Sequence, residues 1–245
     1  MPHAGVGSGY ERTWFFHPSK EGCRSSASGT GGPTWETRKV TNAVDSQQNG
    51  LDHVVVSAGT PAEWLEMPQD DWMSRLKALA KGAGVEGAHW VTLLPHHGAE
   101  FTDSEYERYV AMMSALPHMA TVDALHGVRF VWQMGNGPRI IVDPRPDGHQ
   151  RFAATVEALR LQGINPDAVD EVVLSDAILF PAVQEPDLVV VMGPANQIPE
   201  SMVWELAYSE LVFIDLSWWE FDASHLELAI DDFNRRHRRF GGLDS

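Results

Sequence analysis

The chain has 245 residues, 43% of them hydrophobic, and a formal net charge of −16. That is enough apolar content for one sizeable core, while the acidic balance excludes a nucleic-acid binder, which needs a basic face, and disfavours docking on anionic lipid. Cys23 is the sole cysteine, which excludes an internal disulfide and a cysteine-based metal site, and no run approaches the ~20 apolar residues that span a bilayer.

In chain order, residues 1–50 are expected to form a disordered tail, because Glu21–Pro33 is dominated by Gly and Ser and 41–50 is polar without a period. Trp14, Phe15 and Phe16 are its one apolar knot, and Met1–Ser19 lacks the basic lead and apolar core of a secretory signal. A cytoplasmic protein is therefore expected. The body, 51–245, reads as a single domain. It opens at His53-Val54-Val55-Val56, a buried strand feeding the loop Ser57–Ala62. Helical spacing runs through Asp70–Ala83 to the stop at Gly82 and Gly84, and Trp90–Leu94 is a second strand closed by Pro95. Ser104–Leu116 predicts a helix with Thr102 and Asp103 as cap candidates.

Val128–Trp132 and Arg139–Val142 predict two strands joined through the turn signal Gly135-Asn136-Gly137. Gln150–Leu161 predicts a helix and Asn165–Ser175 a shorter one. Asp187–Val191 is a strand, Ser201–Glu210 a helix, Leu211–Asp215 a strand, and His225–Arg238 the last helix, ended by Gly241 and Gly242. Apolar strands without polar alternation, separated by helices, predict an α/β fold: a mostly parallel central sheet with helices on both faces. In such sheets the functional crevice lies beyond the carboxyl ends of the strands, which points to the loops Ser57–Ala62, Pro95–Phe101 and Met192–Glu200.

Two segments carry a family resemblance. The stronger runs from Pro186-Asp187-Leu188-Val189-Val190 through Trp204-Glu205-Leu206-Ala207-Tyr208-Ser209-Glu210 and Leu211-Val212-Phe213-Ile214-Asp215. It continues with Trp218, Phe221 and Asp222 and closes on Asn234-Arg235-Arg236-His237-Arg238-Arg239-Phe240-Gly241-Gly242. The second is His53–Trp64. Both resemble the cis-prenyltransferases, the family of undecaprenyl and dehydrodolichyl diphosphate synthases, and the first covers that family's C-terminal third without a gap. Residues 120–150 fit less well, and a helix expected there is missing from the pattern.

The resemblance implies a dimeric, Mg²⁺-dependent fold that joins isopentenyl diphosphate to an allylic diphosphate. The residues for that chemistry are mostly replaced. Gly59 stands where the family has its metal- and diphosphate-holding Asp, and Thr60-Pro61-Ala62-Glu63 replaces Gly-Asn-Gly-Arg. Pro61 is expected to remove an amide donor from a phosphate loop, and Glu63 to put a negative charge where a cation belongs. His96-His97-Gly98-Ala99-Glu100-Phe101 replaces Phe-Ser-x-Glu-Asn-Trp, and the isopentenyl diphosphate clamp has Val191, Gln197 and Pro199 in place of Arg, Arg and Ser. Each lost charge-assisted hydrogen bond is worth roughly 1.5–3 kcal/mol.

Glu210 survives at a metal-ligand position as a weak remnant. The resemblance places the dimer interface on Trp204, Tyr208, Phe213 and Trp218. It also has Arg239 and Gly241 completing the active site of a partner chain.

Two readings follow. In the first, the chain is a non-catalytic partner subunit of a catalytic cis-prenyltransferase homologue, as heterodimer or homodimer. It would need no cofactor alone, its partner would hold the Mg²⁺, and attachment to a membrane would come only through that partner. In the second, it is a repurposed enzyme acting on an isoprenoid ligand, with His96, His97, Glu63 and Glu100 as candidates. His96 and His97 are adjacent and His97 and Glu100 three apart, but no third metal ligand is identifiable from the sequence.

Overall fold

The computed structural model describes residues 51–240 except Glu86 and Tyr208, with side chains as far as Arg236. The tail 1–50, Tyr208, the side chain of Arg239 and Gly241 lie outside the described residues.

The elements in order are β1 (His53–Ser57), α1 (Pro61–Glu66), α2 (Gln69–Gly84), β2 (Trp90–Leu94), α3 (Asp103–Ser114), β3 (Met119–Ala124), β4 (Gly127–Trp132), β5 (Arg139–Val142), α4 (Gly148–Leu161), α5 (Glu171–Leu179), β6 (Leu188–Met192), β7 (Glu210–Ile214) and α6 (Ala223–Phe240). The strands form one seven-stranded sheet in the order β3-β4-β5-β2-β1-β6-β7. β5, β2, β1, β6 and β7 are parallel, and β3 and β4 extend the sheet as an antiparallel hairpin. This is the mostly parallel α/β architecture that the uninterrupted apolar runs imply: every residue of β1, β2 and β6 is buried.

Alternation within those strands divides the interior. Val54, Val56, Val91, Leu93 and Val190 face the main core under α2, α3 and α6, whereas Val55, Val189 and Val191 face the thinner layer beneath 202–206. In the main core Trp64, Trp72, Tyr109, Phe130, Trp132, Trp218 and Phe221 are at most 2% exposed. Trp72 meets three of their rings, with centroids 5.6 Å (Trp64), 6.4 Å (Tyr109) and 6.4 Å (Trp218) away. Gly82 lets α2 approach α6 closely, since a Cβ there would lie 2.9 Å from the Ala223 carbonyl and 2.9 Å from Leu226 Cβ.

Three elements differ from the sequence expectation. The loop after β1 contains α1, because Thr60 and Glu63 close a reciprocal cap around the helix start and Pro61 takes the first helical position. Pro61 thus removes no donor that a loop would use, since the first-turn amide it lacks has no helical partner anyway. The hairpin strand β3 occupies 119–124, where no strand was expected.

The helix expected over Ser201–Glu210 is absent; turns occupy 201–207. Tertiary contacts outweigh local propensity there. Arg151 of α4 donates to the Ser201 carbonyl at 2.9 Å and to Glu205 at 2.5 Å, and the Trp204 indole donates to Ser175 at 2.8 Å.

Candidate functional site

At the carboxyl ends of β1, β2 and β6 lies a cleft of about 190 Å³. Its walls come from three connections: Gly59 and Glu63 after β1, His96 and His97 after β2, and Met192, Gly193, Pro194 and Gln197 after β6. Leu216, Ser217 and Trp218 close it from the segment after β7. The three loops that topology singles out therefore converge on one place.

Gly59 decides what this cleft can hold. Its φ is +67°, a conformation that side-chain-bearing residues adopt only with strain, and a Cβ would stand 2.9 Å from Trp64 Nε1 and 3.0 Å from Trp218 Cδ1. Trp64 is fixed by its indole N–H, which donates to the Ala58 carbonyl at 3.1 Å. The position where the resemblance expects an Asp is thus filled by tryptophan surface. Glu63 does line the cleft, but its carboxylate is bound back to the Thr60 amide at 2.8 Å and hydroxyl at 3.1 Å. Its charge serves the helix cap.

His96 is 5% exposed and Ser57 is fully buried; the Ser57 hydroxyl stands 3.5 Å from His96 Nδ1. Burial, and then the neighbouring His97, lower the His96 pKa, which keeps the ring neutral. The two imidazoles sit edge to face, 5.1 Å between centroids. Gly193, at φ +138°, brings its backbone against His96, where a Cβ would lie 3.3 Å from Nε2. The lining has neutral donors and acceptors, apolar walls and no lysine or arginine among the described residues.

The remaining expected residues scatter. Val191 is fully buried within the sheet outside the lining, Pro199 is buried outside it too, and Gln197 alone of the three clamp positions reaches the cleft. Glu100 is exposed and does not line it. Glu210 opens β7 opposite Leu188, at the amino edge, whereas Gly59 follows Ser57, which pairs with Val191 near the carboxyl edge. Within one chain Glu210 and Gly59 cannot share a metal ion.

Among the described residues no three His, Cys, Asp or Glu side chains are grouped to hold one. The residues present do not fit the Mg²⁺ site that the resemblance implies.

Of the expected interface residues, Trp218 is corrected outright. It is 2% exposed, stacked on Phe221 at 5.5 Å, and forms part of the cleft wall. Trp204 is half-buried and stacked on Phe152 at 5.9 Å, and Phe213 is half-buried on β7. Sequence reasoning missed Ser57, Leu216 and Ser217, which become site residues only through the fold. The Thr-x-x-Glu spacing of Thr60 and Glu63 was the available signal for α1.

Residues 146–241 match the model of a family described as putative undecaprenyl diphosphate synthase. Over 90 residues the chain is 42% identical to the ditrans,polycis-undecaprenyl-diphosphate synthase of Xanthomonas axonopodis pv. citri, covering 37% of this chain and 34% of that protein. Over 132 residues it is 30% identical to an isoprenyl transferase of Streptococcus mutans, covering 51% of this chain and 53% of that one. The matches thus span only about a third to a half of these relatives.

In fold, the chain is similar to a probable undecaprenyl diphosphate synthase from Campylobacter jejuni, with a TM-score of 0.50 at 12% identity, over 79% of this chain and 99% of that one. No helix among the described residues is long and apolar enough to cross a membrane. The C-terminal part of the chain is thus similar in sequence to undecaprenyl diphosphate synthases and isoprenyl transferases, and the chain's fold is similar to that of such a protein.

Proposed function

We propose that this chain is a non-catalytic cis-prenyltransferase homologue that serves as partner subunit to a catalytic one in polyprenyl diphosphate synthesis. The observation that carries the reading is Gly59. Its positive φ and the tryptophans pressed against it leave no place for the carboxylate on which the family's chemistry rests. Among the described residues the cleft also offers no cationic side chain to a diphosphate, and a diphosphate without charge-assisted donors loses most of its binding energy. The interior that would have to admit a growing chain is occupied by aromatic side chains in mutual contact.

In this role the chain contributes scaffold and surface. β7 is an edge strand, with Leu211 and Phe213 half-buried against the same small cluster as Leu206, and such a face suits association with a homologue or a second copy. Arg239 and Gly241 would complete the partner's site, and any Mg²⁺ would be held there. Tagging the chain and purifying it from its native host tests the pairing. A catalytic homologue should come down with it. A monomer at micromolar concentration with no homologue attached would contradict the role.

A second reading rests on His96. A buried neutral imidazole beside the Ser57 hydroxyl and His97, in a cleft with apolar walls, suits an uncharged ligand with one hydrogen-bonding group, such as a short isoprenoid alcohol. In this repurposed-enzyme reading, quenching of Trp218 fluorescence by a prenyl alcohol, reversed in His96→Ala, would be expected.

A further inference from the structure

Cationic groups, absent from the cleft lining among the described residues, lie instead around the end of β5. Asp143 directly follows β5 and is fully buried. Arg129 of β4 donates from Nε to its Oδ2 at 2.9 Å, and Arg145 donates from Nε to Oδ1 at 2.9 Å and from Nη2 to Oδ2 at 3.0 Å. Arg151 of α4 brings Nη1 to 4.0 Å from Oδ2 while its Nη2 holds Glu205. The side chains of Arg129, Arg151 and Glu205 are 1% exposed, and only Arg145, at 20%, reaches solvent.

Three guanidinium groups face two carboxylates, leaving the cluster with 3 − 2 = 1 positive charge in excess, carried where Arg145 reaches solvent. His126, 3.4 Å from Asp143 Oδ2, is held neutral by burial and does not alter that balance. Arg129 Nη2, Arg145 Nη1, and Arg151 Nε and Nη1 are buried without a hydrogen-bond partner. Buried donors are rarely left unpaired, and an unpaired buried charge is costlier still. An ordered water would satisfy the donors but would leave the charge.

We propose that this arginine cluster is an anion site that takes one small inorganic oxyanion, of the phosphate class, admitted beside Arg145. Arg145 suits the entrance. It is the partly exposed member, and its Nη1 lies over Gly127 where even a Cβ would be 2.7 Å away. An anion here would neutralise the excess charge and accept from the four unpaired nitrogens. The site is separate from the cleft and does not depend on the partner-subunit role.

The test is calorimetric titration of the full chain with sodium phosphate, ionic strength held constant with sodium gluconate, alongside thermal unfolding in the same solutions. One phosphate per chain should bind saturably and raise the melting temperature, with sulfate competing. Arg145→Gln should weaken binding at least tenfold with an unchanged far-ultraviolet spectrum, and Arg145→Lys should retain part of it. No saturable binding to the wild-type chain would overturn the proposal whatever the variants do. Undiminished binding in Arg145→Gln would overturn it equally, by placing the phosphate elsewhere.

Discussion

Gly59 is packed against the indole of Trp218 so closely that a Cβ on the glycine would lie 3.0 Å from Trp218 Cδ1. Restoring the family's carboxylate should therefore damage the fold without restoring activity. A non-glycine residue at φ +67° costs about 1–2 kcal/mol, and displacing packed core rings adds about 1–3 kcal/mol. Gly59→Asp should lower stability by roughly 2–5 kcal/mol in denaturant titration, with prenyl transfer still undetected. Full stability in that variant would mean that the Trp64–Trp218 wall yields readily.

Tyr109 buries its hydroxyl, without a hydrogen-bond partner, among Trp64, Trp72, Phe101 and Phe130. An unsatisfied buried hydroxyl costs about 1–3 kcal/mol. Tyr109→Phe, which keeps the ring, should leave stability unchanged or raise it by about 1 kcal/mol. A loss of more than about 1 kcal/mol would show that the hydroxyl has a partner, such as a bound water.

Acid should destabilise the protein through its buried histidines. His53 donates from Nδ1 to the Gln184 carbonyl at 2.8 Å and accepts at Nε2 from the Thr92 hydroxyl at 2.9 Å, which fixes a neutral ring. Burial lowers its pKa to about 4 and that of His126 to about 3. Below the ordinary value near 6.5, the unfolded chain takes up protons that the folded chain refuses.

Their stabilisation is therefore complete above pH ~6.5 and is lost as pH falls toward about 4, at up to about 1.4 kcal/mol per pH unit for each histidine. Asp143, held well below the carboxylate range by its arginines despite burial, adds nothing in this window because it is ionised in both states. Unfolding measured from pH 7 to 4.5 should show the decline, with a shallower slope in His53→Gln. A flat profile would contradict the buried neutral assignments.

Much of the scaffold was legible because buried parallel strands leave uninterrupted apolar runs. His53–Ser57 and Trp90–Leu94 could be read directly, and Leu188–Met192 to within one residue of the expected Asp187–Val191; their carboxyl ends located the cleft. What the sequence concealed was set by distant contacts. The 201–207 segment has a helical residue pattern, yet Arg151, some fifty positions earlier, holds its backbone in turns. Trp218 reads as an interface aromatic and is instead a wall against Gly59. The arginine cluster was invisible because Arg129, Arg145 and Arg151 share no motif and meet only where β4, β5 and α4 converge.

Arg239 should matter to a partner's turnover and little to this chain's own folding. A charge-assisted contact to a diphosphate is worth about 1.5–3 kcal/mol. In a reconstituted heteromer, Arg239→Ala should cut rate or affinity about 10- to 100-fold with an unchanged melting temperature. Unchanged turnover would mean that the C-terminal motif is inherited but unused.

The most direct measurement is condensation of isopentenyl diphosphate with farnesyl or geranyl diphosphate, in Mg²⁺, by the purified chain alone and again with a catalytic homologue. No product should form with the chain alone, while the mixture should exceed the homologue's own rate. Turnover by the chain alone at about 1 s⁻¹, ordinary for an enzyme, would contradict the account, because the diphosphates would then be held by residues other than those that Gly59, Val191 and Gln197 have replaced.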